Sequence, residues 1–387
     1  MKRSLIASGI LLMLNAPAYA GDDLQAIRDE IHQMKATYEA RIEALQKRLD
    51  QTETRVQQSD AKSEQAVQAA SAAAQPAPAN ANAFNPEIAL ILSGTYNHLQ
   101  RDPDTYQIGG FFPSGGEVAP GPRSFSLGES ELAISANIDP HFRGNLTLAL
   151  TPENTVSVEN AYIQTLGLGH GLSFKAGRFF SSIGYMNEQH AHTWDFTDAA
   201  LPYKAFLGNQ FADDGVQIKW LVPTTDLLVE LGAEIGRGRS FPATERNSNG
   251  SAAGSVFAHV GGDVGVSSSW RAGLSYLGSS PRERSYDDAD ALDNPTSNSF
   301  SGKSRLWIAD FVWKWAPNGN AKETNFKLQG EYFRRTETGT LSCADQAGAG
   351  NCGTGVADSY QSTQSGWYLQ GVYQSCRTGA PGYATTA

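Results

Sequence analysis

Residues 305–315 read Arg-Leu-Trp-Ile-Ala-Asp-Phe-Val-Trp-Lys-Trp, and this stretch decides the fold of the chain. Its odd-numbered positions from 307 onward hold three tryptophans, one phenylalanine and one alanine. Its even-numbered positions include Asp310 and Lys314. Because a strand directs alternate side chains to opposite faces, one face would be aromatic and the other would carry charge.

The same alternation recurs in many segments between residues 86 and 374. Val216, Ile218 and Trp220, for example, alternate with Gln217 and Lys219. Segments of this kind, separated by turn-forming residues, indicate amphipathic strands. We predict strands near 87–98, 125–138, 142–150, 155–166, 172–179, 215–222, 226–236, 255–263, 266–277, 304–315, 324–335 and 365–374. The alternation is ambiguous in the strand at 255–263.

The first twenty residues have the features of a secretion signal. Lys2 and Arg3 precede an apolar stretch at residues 5–14, and Ala-Tyr-Ala at 18–20 fits the rule for signal cleavage. The apolar stretch is shorter than the roughly 20 residues that a membrane-spanning helix needs. We therefore expect residues 1–20 to be a cleaved signal peptide, in preference to an N-terminal anchor helix.

Two segments with different compositions follow the signal. Residues 21–59 place apolar side chains at alternating spacings of three and four, with a four-residue stutter between Tyr38 and Ile42. This pattern predicts a periplasmic coiled coil; a single amphipathic helix packed on another domain is the alternative. Residues 60–85 are rich in Ala, Gln and Pro and predict a flexible linker.

The composition of the chain limits its architecture and its partners. Only 18% of the residues are charged, and no apolar run reaches the roughly 18 residues of a membrane helix. Only helices and closed barrels satisfy every backbone polar group in lipid. We predict an all-β fold, an antiparallel transmembrane β-barrel over residues 86–374 in the bacterial outer membrane. The 40 acidic against 30 basic residues argue against nucleic acid as a partner.

The joins between the predicted strands alternate between short and long. If the first strand runs outward from the periplasm, the inner joins are 139–141, 167–171, 223–225, 264–265 and 316–323. All of these are short, whereas all but one of the outer joins are long, including 180–214. Short periplasmic turns and long outer loops are typical of outer-membrane barrels.

Four stretches carry a family resemblance, at residues 85–94, 158–163, 175–180 and 213–218. They read Asn-Pro-Glu-Ile-Ala-Leu-Ile-Leu-Ser-Gly, Val-Glu-Asn-Ala-Tyr-Ile, Lys-Ala-Gly-Arg-Phe-Phe and Asp-Asp-Gly-Val-Gln-Ile. In pattern and order the chain resembles Gram-negative outer-membrane porins, especially the phosphate-selective porin family and its relatives with an N-terminal coiled coil. The resemblance implies passive diffusion of small solutes, a homotrimer, and a third outer loop folded into the channel.

The C-terminal residues depart from the pattern of that family. Such porins have about 16–18 strands and end on an aromatic residue, whereas twelve strands are recognised here. Residues 375–387 have no alternation and no terminal aromatic residue. We expect a truncated or frame-shifted product with a disordered tail at 375–387. The alternative is a complete ring of twelve strands, closed by pairing 365–374 with 87–98.

The resemblance places the channel constriction at the third outer loop, residues 180–214. The candidate constriction and pore-lining residues are Arg143, Glu159, Lys175, Glu188, His190, His192, Asp195 and Lys219. Acidic and basic residues share the inward parity of the strands, with Glu131 and Glu331 among the acidic ones. Phosphate specificity therefore does not follow from the resemblance, and the ion preference stays open.

Other residues of chemical interest have simpler interpretations. Imidazole and carboxylate groups near 188–195 suit zinc or copper, but hydrogen-bonded loop packing is preferred, and we predict neither metal nor cofactor. Cys343 and Cys352, in an outer loop of an exported protein, predict a disulfide. The acidic stretch at 287–295 is expected to be solvated, with loose divalent bridging to lipopolysaccharide.

Three functions compete at this level. The first is an outer-membrane porin for small hydrophilic solutes or ions. The second is an adhesion protein or an envelope-tethering structural protein that acts through the coiled coil. The third, an outer-membrane enzyme, is the least favoured, because no serine-hydrolase, phosphate-cradling or nucleotide motif is present. Bulk ion conductance separates the porin from the other two.

Overall fold

The computed structural model describes residues 86–375, except 107, 112–117, 152–154, 224–225, 246, 290–294 and 346–355. The chain divides into two compact units, Met1–Ala83 and Phe84–Ala387. The predicted signal peptide, coiled coil and linker lie outside the described residues, as do Cys352 and the tail after Ser375. Within the described part of the chain, no helix is both long and apolar enough to cross a membrane.

The described residues of the second unit are built mainly from antiparallel strands. In chain order they are β1 (Glu87–Ile91), β2 (Gly94–Asn97), β3 (Ser124–Leu127), β4 (Ser130–Asn137), β5 (Phe142–Leu150), β6 (Val156–Thr165), β7 (Leu172–Phe180), β8 (Ala212–Leu221), β9 (Leu228–Gly236), β10 (Ala253–Val264), β11 (Ser268–Ser279), β12 (Arg284–Ala289), β13 (Pro295–Trp315), β14 (Thr324–Asp345) and β15 (Val356–Ser375). Among the described residues, an α-helix, α1 (Leu201–Leu207), lies between β7 and β8.

The main sheet is an antiparallel meander, in which β12 pairs with β13 beside the main path. The order in the main sheet is β1-β4-β5-β6-β7-β8-β9-β10-β11-β13-β14-β15, and β2 pairs with β3 in a separate two-stranded sheet. The first two predicted strands are therefore each interrupted, near Ser93 and Gly128. The Gly128 N–H donates to the Ser93 carbonyl at 2.9 Å across this interruption. The predicted antiparallel β architecture and its twelve successive strands are confirmed.

The last three strands are longer than the sequence predicted. β13, β14 and β15 have 21, 22 and 20 residues, and their outer halves stay paired, as in Phe300 opposite Leu341. The sequence predicted no strand between residues 278 and 303, which is wrong in part, because β12 pairs with β13 there. These outer extensions are mainly polar on both faces, so the alternation that marks a half-apolar strand is absent there.

The two faces of β13 have opposite environments. Trp307 and Phe311 are 48% and 46% exposed, whereas Leu306 and Ile308 are 0% and 1% exposed. The same alternation places Trp367 and Leu369 of β15 on the exposed face. The aromatic residues therefore lie on the outside of the sheet, and the other parity faces an interior that additional residues must fill.

β1 and β15 are the edges of the main sheet. Over the residues that the structure describes, β1 pairs only with β4, and β15 pairs only with β14. The hydrogen-bonded closure between 87–98 and 365–374, considered as an alternative above, is therefore not seen in this part of the chain.

Candidate functional site: the third outer loop inside the sheet

The segment between β7 and β8, residues 181–211, is the third outer loop of the meander. It contains α1, which begins with Pro202 in its first turn and ends at Gly208. Proline suits the first helical turn, where its missing N–H has no intrahelical partner. Gly208 has a φ of +67°, the left-handed conformation that commonly ends a helix. Proline and glycine thus confine the helix to seven residues.

The third outer loop packs its apolar side chains against the inner face of the sheet. Tyr203 and Phe206 of α1 are fully buried, and the ring centroid of Phe206 lies 5.7 Å from that of Phe333 on β14. Leu306 and Ile308 of β13 belong to the same apolar cluster. Each such side chain contributes about 1.5–3 kcal/mol when it is fully buried. This packing explains why inward-facing apolar residues of β13 are not in water.

The inner face of the main sheet is called the wall below. Glu331 of β14 makes the main polar contact between this wall and the third outer loop. Its carboxylate accepts hydrogen bonds from the Tyr203 hydroxyl at 2.9 Å and the Tyr368 hydroxyl at 2.6 Å. It also accepts from the backbone N–H of Tyr185, at 3.1 Å, and of Met186, at 3.3 Å. Burial, the charge of Glu331 and the Tyr368 hydroxyl hold the pKa of Tyr203 well above its usual range.

Gly184 lets the loop backbone approach this carboxylate. Its φ is +66°, and a Cβ atom built there would lie 2.5 Å from Oε2 of Glu331 and 2.8 Å from the Tyr203 hydroxyl. A larger residue would be strained in its backbone and would also push these two partners apart. The turn at Gly184 is therefore part of the contact between loop and wall.

The opposite side of the loop carries a pair of histidines. Nδ1 of His190 lies 2.9 Å from Oε2 of Glu159 on β6 and 3.1 Å from Oε2 of Glu131 on β4. Nδ1 of His192 lies 2.8 Å from the other oxygen of Glu131. Burial alone would lower the pKa of His190, but its hydrogen bonds to Glu131 and Glu159 outweigh burial and raise that pKa to about 9.

Glu188 faces a group of charged residues on β7, β8 and β9. Its Oε1 lies 3.4 Å from Nζ of Lys219 and 3.8 Å from Nζ of Lys175. Lys219 also lies 3.6 Å from Glu230. Burial raises the pKa of Glu188, but the two ammonium groups outweigh that effect and lower it. The wall here carries charges of both signs, as the sequence predicted for the lumen.

Asp195 contacts the last two strands of the main sheet, β14 and β15. It forms an ion pair with Lys327 of β14, and it accepts a hydrogen bond from the Gln370 side chain of β15 at 3.1 Å. The loop thus touches β4 near the start of the meander and β15 at its end. A single loop can reach both only because the sheet curves around it, with the inner face toward the loop.

The structure separates the predicted site residues into groups. Glu188, His190 with His192, and Asp195 reach three different parts of the wall. Arg143 lies elsewhere, beside Glu87 and Ser135. The chain between Glu188 and Asp195 contains turns and a 3-10 helix at Ala191–Thr193, and this local winding directs neighbouring side chains to different sides.

Several residues of the site were not predicted to contact the loop. Glu131 and Glu331 were recognised only by their inward parity, and Tyr203 and Tyr368 were not recognised at all. Pro202 and Gly208 were available signals for α1. Cys343 is disulfide-bonded, and its predicted partner Cys352 lies outside the described residues, so the pairing stays a prediction. The role of the predicted residues in a constriction stays a prediction.

Comparisons with known proteins give few relatives in sequence. No family profile matches the chain. A protein of Aquifex aeolicus (strain VF5), described as an uncharacterized protein, is 30% identical over 287 residues, which is 68% of this chain and 58% of that protein. The chain therefore spans less than two thirds of the length of this curated relative.

Solved structures that resemble the chain share little of its sequence. OmpT with loop L8 deleted, an outer membrane protein of Vibrio cholerae, is 11% identical, with 75% of this chain and 95% of that chain covered and a TM-score of 0.35. OprB of Pseudomonas putida is 10% identical, with 75% and 94% covered and a TM-score of 0.31. The anion-selective porin from Comamonas acidovorans is 10% identical, with 75% and 98% covered and a TM-score of 0.28.

Proposed function

We propose that the chain is an outer-membrane porin through which small hydrophilic solutes or ions diffuse passively. Its aromatic face would contact lipid, and its polar face would line a lumen that the third outer loop narrows. The coiled coil would lie in the periplasm. No chemical step is assigned to any residue of the site.

One observation carries this proposal: a loop held inside a curved sheet whose outer face is apolar. Trp307, Phe311 and Trp367 are exposed, whereas Glu131 and Glu331 on the inner parity are buried against the loop. Soluble proteins rarely expose apolar patches of more than a few hundred Å². In a membrane the same surface is satisfied by lipid, and alternation of apolar-out with polar-in is typical of membrane barrels.

Ion conductance tests the porin proposal directly. The folded chain should produce discrete conductance steps when it is added to a planar lipid bilayer in potassium chloride. Closed vesicles that contain it should also swell in isosmotic sugar solutions. A chain that inserts into the bilayer without any conductance would contradict passive diffusion and favour the tethering function.

Substitution of Phe311 by arginine tests which face of the sheet meets lipid. An arginine on the lipid face near the middle of a bilayer destabilises a barrel by about 2–4 kcal/mol, whereas near the interface it costs about 0–1 kcal/mol. We expect Phe311→Arg to lower the free energy of unfolding in vesicles by an amount in the first range. Urea titration of the folded fraction measures it.

Ser299→Arg is the matched control, because Ser299 has the same parity on the same strand, twelve positions closer to the outer end. It should change stability little. Equal effects of the two substitutions would show that Phe311 does not lie in the hydrocarbon region.

Neutralising Lys175 and Lys219 tests whether the charged wall sets ion preference. The variant Lys175→Gln/Lys219→Gln leaves Glu188 and Glu230 without their ammonium partners, so we expect the preference to shift several-fold toward cations. Reversal potentials in a salt gradient measure the shift. Lys322→Gln, in an exposed turn at the inner end, should leave the reversal potential unchanged. An unchanged value in the double variant would place the selective region elsewhere.

The proposed partners follow from the proposed membrane location. They are outer-membrane lipid, lipopolysaccharide and further copies of the chain, with a homotrimer expected from the family resemblance. Cross-linking followed by size analysis in detergent would test the trimer.

A further inference from the structure

The contact of the third outer loop with β4 and β6 contains a set of potential metal ligands. Glu131, Glu159 and His190 each offer one ligand atom, and these atoms all lie within 4.8 Å of one another. Glu131 is buried, and Glu159 and His190 are half-buried. The three residues come from two strands and one loop, so the fold itself assembles the cluster.

The spacing of the ligand atoms is close to that of a small coordination sphere. Nδ1 of His190 lies 2.9 Å from Oε2 of Glu159 and 3.1 Å from Oε2 of Glu131. Zinc bonds to nitrogen and oxygen of about 2.0–2.2 Å place neighbouring tetrahedral ligands about 3.3–3.5 Å apart. The two distances from the imidazole nitrogen would have to increase by only a few tenths of an ångström, and the two carboxylates lie within 4.8 Å of each other.

The charges of the cluster also favour a divalent cation. Two carboxylates converge on one imidazole nitrogen, so a neutral imidazole would leave two negative charges without compensation. Imidazole with carboxylate is a donor set that suits zinc, copper and nickel. Magnesium and calcium prefer six or more oxygen ligands, which this cluster does not offer.

We propose that Glu131, Glu159 and His190 form a binding site for a divalent transition-metal cation of the zinc type. His192 acts as a positioning residue, because its Nδ1 holds the second oxygen of Glu131 at 2.8 Å. Hydrogen bonds of this kind fix the orientation of a ligating carboxylate. A bound cation would join the third outer loop to β4 and β6, in place of the hydrogen bonds that His190 now makes with the two carboxylates.

Zinc binding to the folded chain in detergent tests this site, with no affinity tag present. Isothermal titration with zinc chloride should show one saturable equivalent that excess magnesium chloride does not displace. His190→Ala and Glu159→Gln should each weaken binding by at least about tenfold, and His192→Ala by a similar or smaller factor. His141→Ala, in an exposed inner turn, is the control and should bind zinc like the unmodified chain.

Two features of the experiment distinguish a variant that misfolds from one that only loses a metal ligand. Glu159→Gln keeps a hydrogen-bond acceptor beside His190, so the loop can stay docked, and circular dichroism checks the fold of each variant. X-ray absorption at the zinc edge should show nitrogen and oxygen neighbours only, with one imidazole.

Three results would overturn the proposal: no saturable zinc binding, binding that both His190→Ala and Glu159→Gln retain, or an equal loss in His141→Ala. In those cases the cluster is a hydrogen-bonded anchor only. None of these measurements depends on ion conductance, so the metal site and the porin function can fail separately.

Discussion

Deletion of residues 188–196 is expected to raise single-channel conductance several-fold and to change ion preference. This segment carries the contacts of the third outer loop with three parts of the wall, through Glu188, His190 and Asp195. Its removal would take side-chain volume and fixed charges out of the interior together. Fixed charges at a narrow point act on permeating ions at close range, so their loss changes selectivity as well as rate.

The end points of this deletion preserve the attachment of the loop. Asn187 remains, and its side-chain amide donates to the carbonyls of Ser181 and Phe211 at 2.7 and 2.9 Å. Removal of residues 247–250, an exposed part of the loop between β9 and β10, is the control and should leave conductance unchanged. Planar-bilayer recordings of both variants compare them. Equal conductance in the two deletions would show that the third outer loop does not narrow the lumen.

Substitution of Glu331 by alanine is expected to produce the largest loss of stability. Hydrogen bonds to a charged group contribute about 1.5–3 kcal/mol each, and buried donors left without a partner cost about 1–3 kcal/mol. Glu331 accepts from two tyrosine hydroxyls and two backbone N–H groups. With partial relaxation of the loop, we expect a loss of roughly 3–5 kcal/mol, because two hydroxyls and two backbone N–H groups lose their common acceptor.

Smaller changes at the same contact provide the controls. Tyr203→Phe and Tyr368→Phe each remove one hydroxyl and should cost about 1–3 kcal/mol. Tyr332→Phe, on the exposed face of the same strand, should cost little. Denaturant unfolding in detergent measures all four variants. If Glu331→Ala were as stable as Tyr332→Phe, Glu331 would not anchor the loop.

The sequence predicted most of the strands because one face of each is apolar. Trp307 and Phe311 lie on the exposed face in the C-terminal half of β13, and the alternation of apolar and polar residues there shows which face they occupy. In the outer half of the same strand, Ser297, Ser299 and Ser301 share that parity. In the proposed membrane arrangement this half of the strand would extend beyond the lipid, so no apolar surroundings would select its side chains. The predicted strand therefore begins at residue 304 instead of 295.

The site was predictable only in part, for a different physical reason. Inward parity identified Glu131 and Glu331 because strand geometry fixes where a side chain points. The loop has no such period, so the sequence could not show that His190 turns toward β6 while Asp195 turns toward β14. The partners of a loop are set by the curvature of the whole sheet, which no local pattern contains.

The residues that contact the third outer loop are widely separated along the chain, and this separation affects when the contacts form during folding. His192 contacts a residue 61 positions earlier, whereas Tyr203 and Asp195 contact residues 128 and 175 positions later. Contacts at such separations form late, because the intervening chain must first lose its conformational freedom. The third outer loop therefore cannot dock fully until β14 and β15 have paired. In the proposed porin, the interior of the sheet would therefore stay open during most of folding. The docked third outer loop, which would limit permeation, would form last.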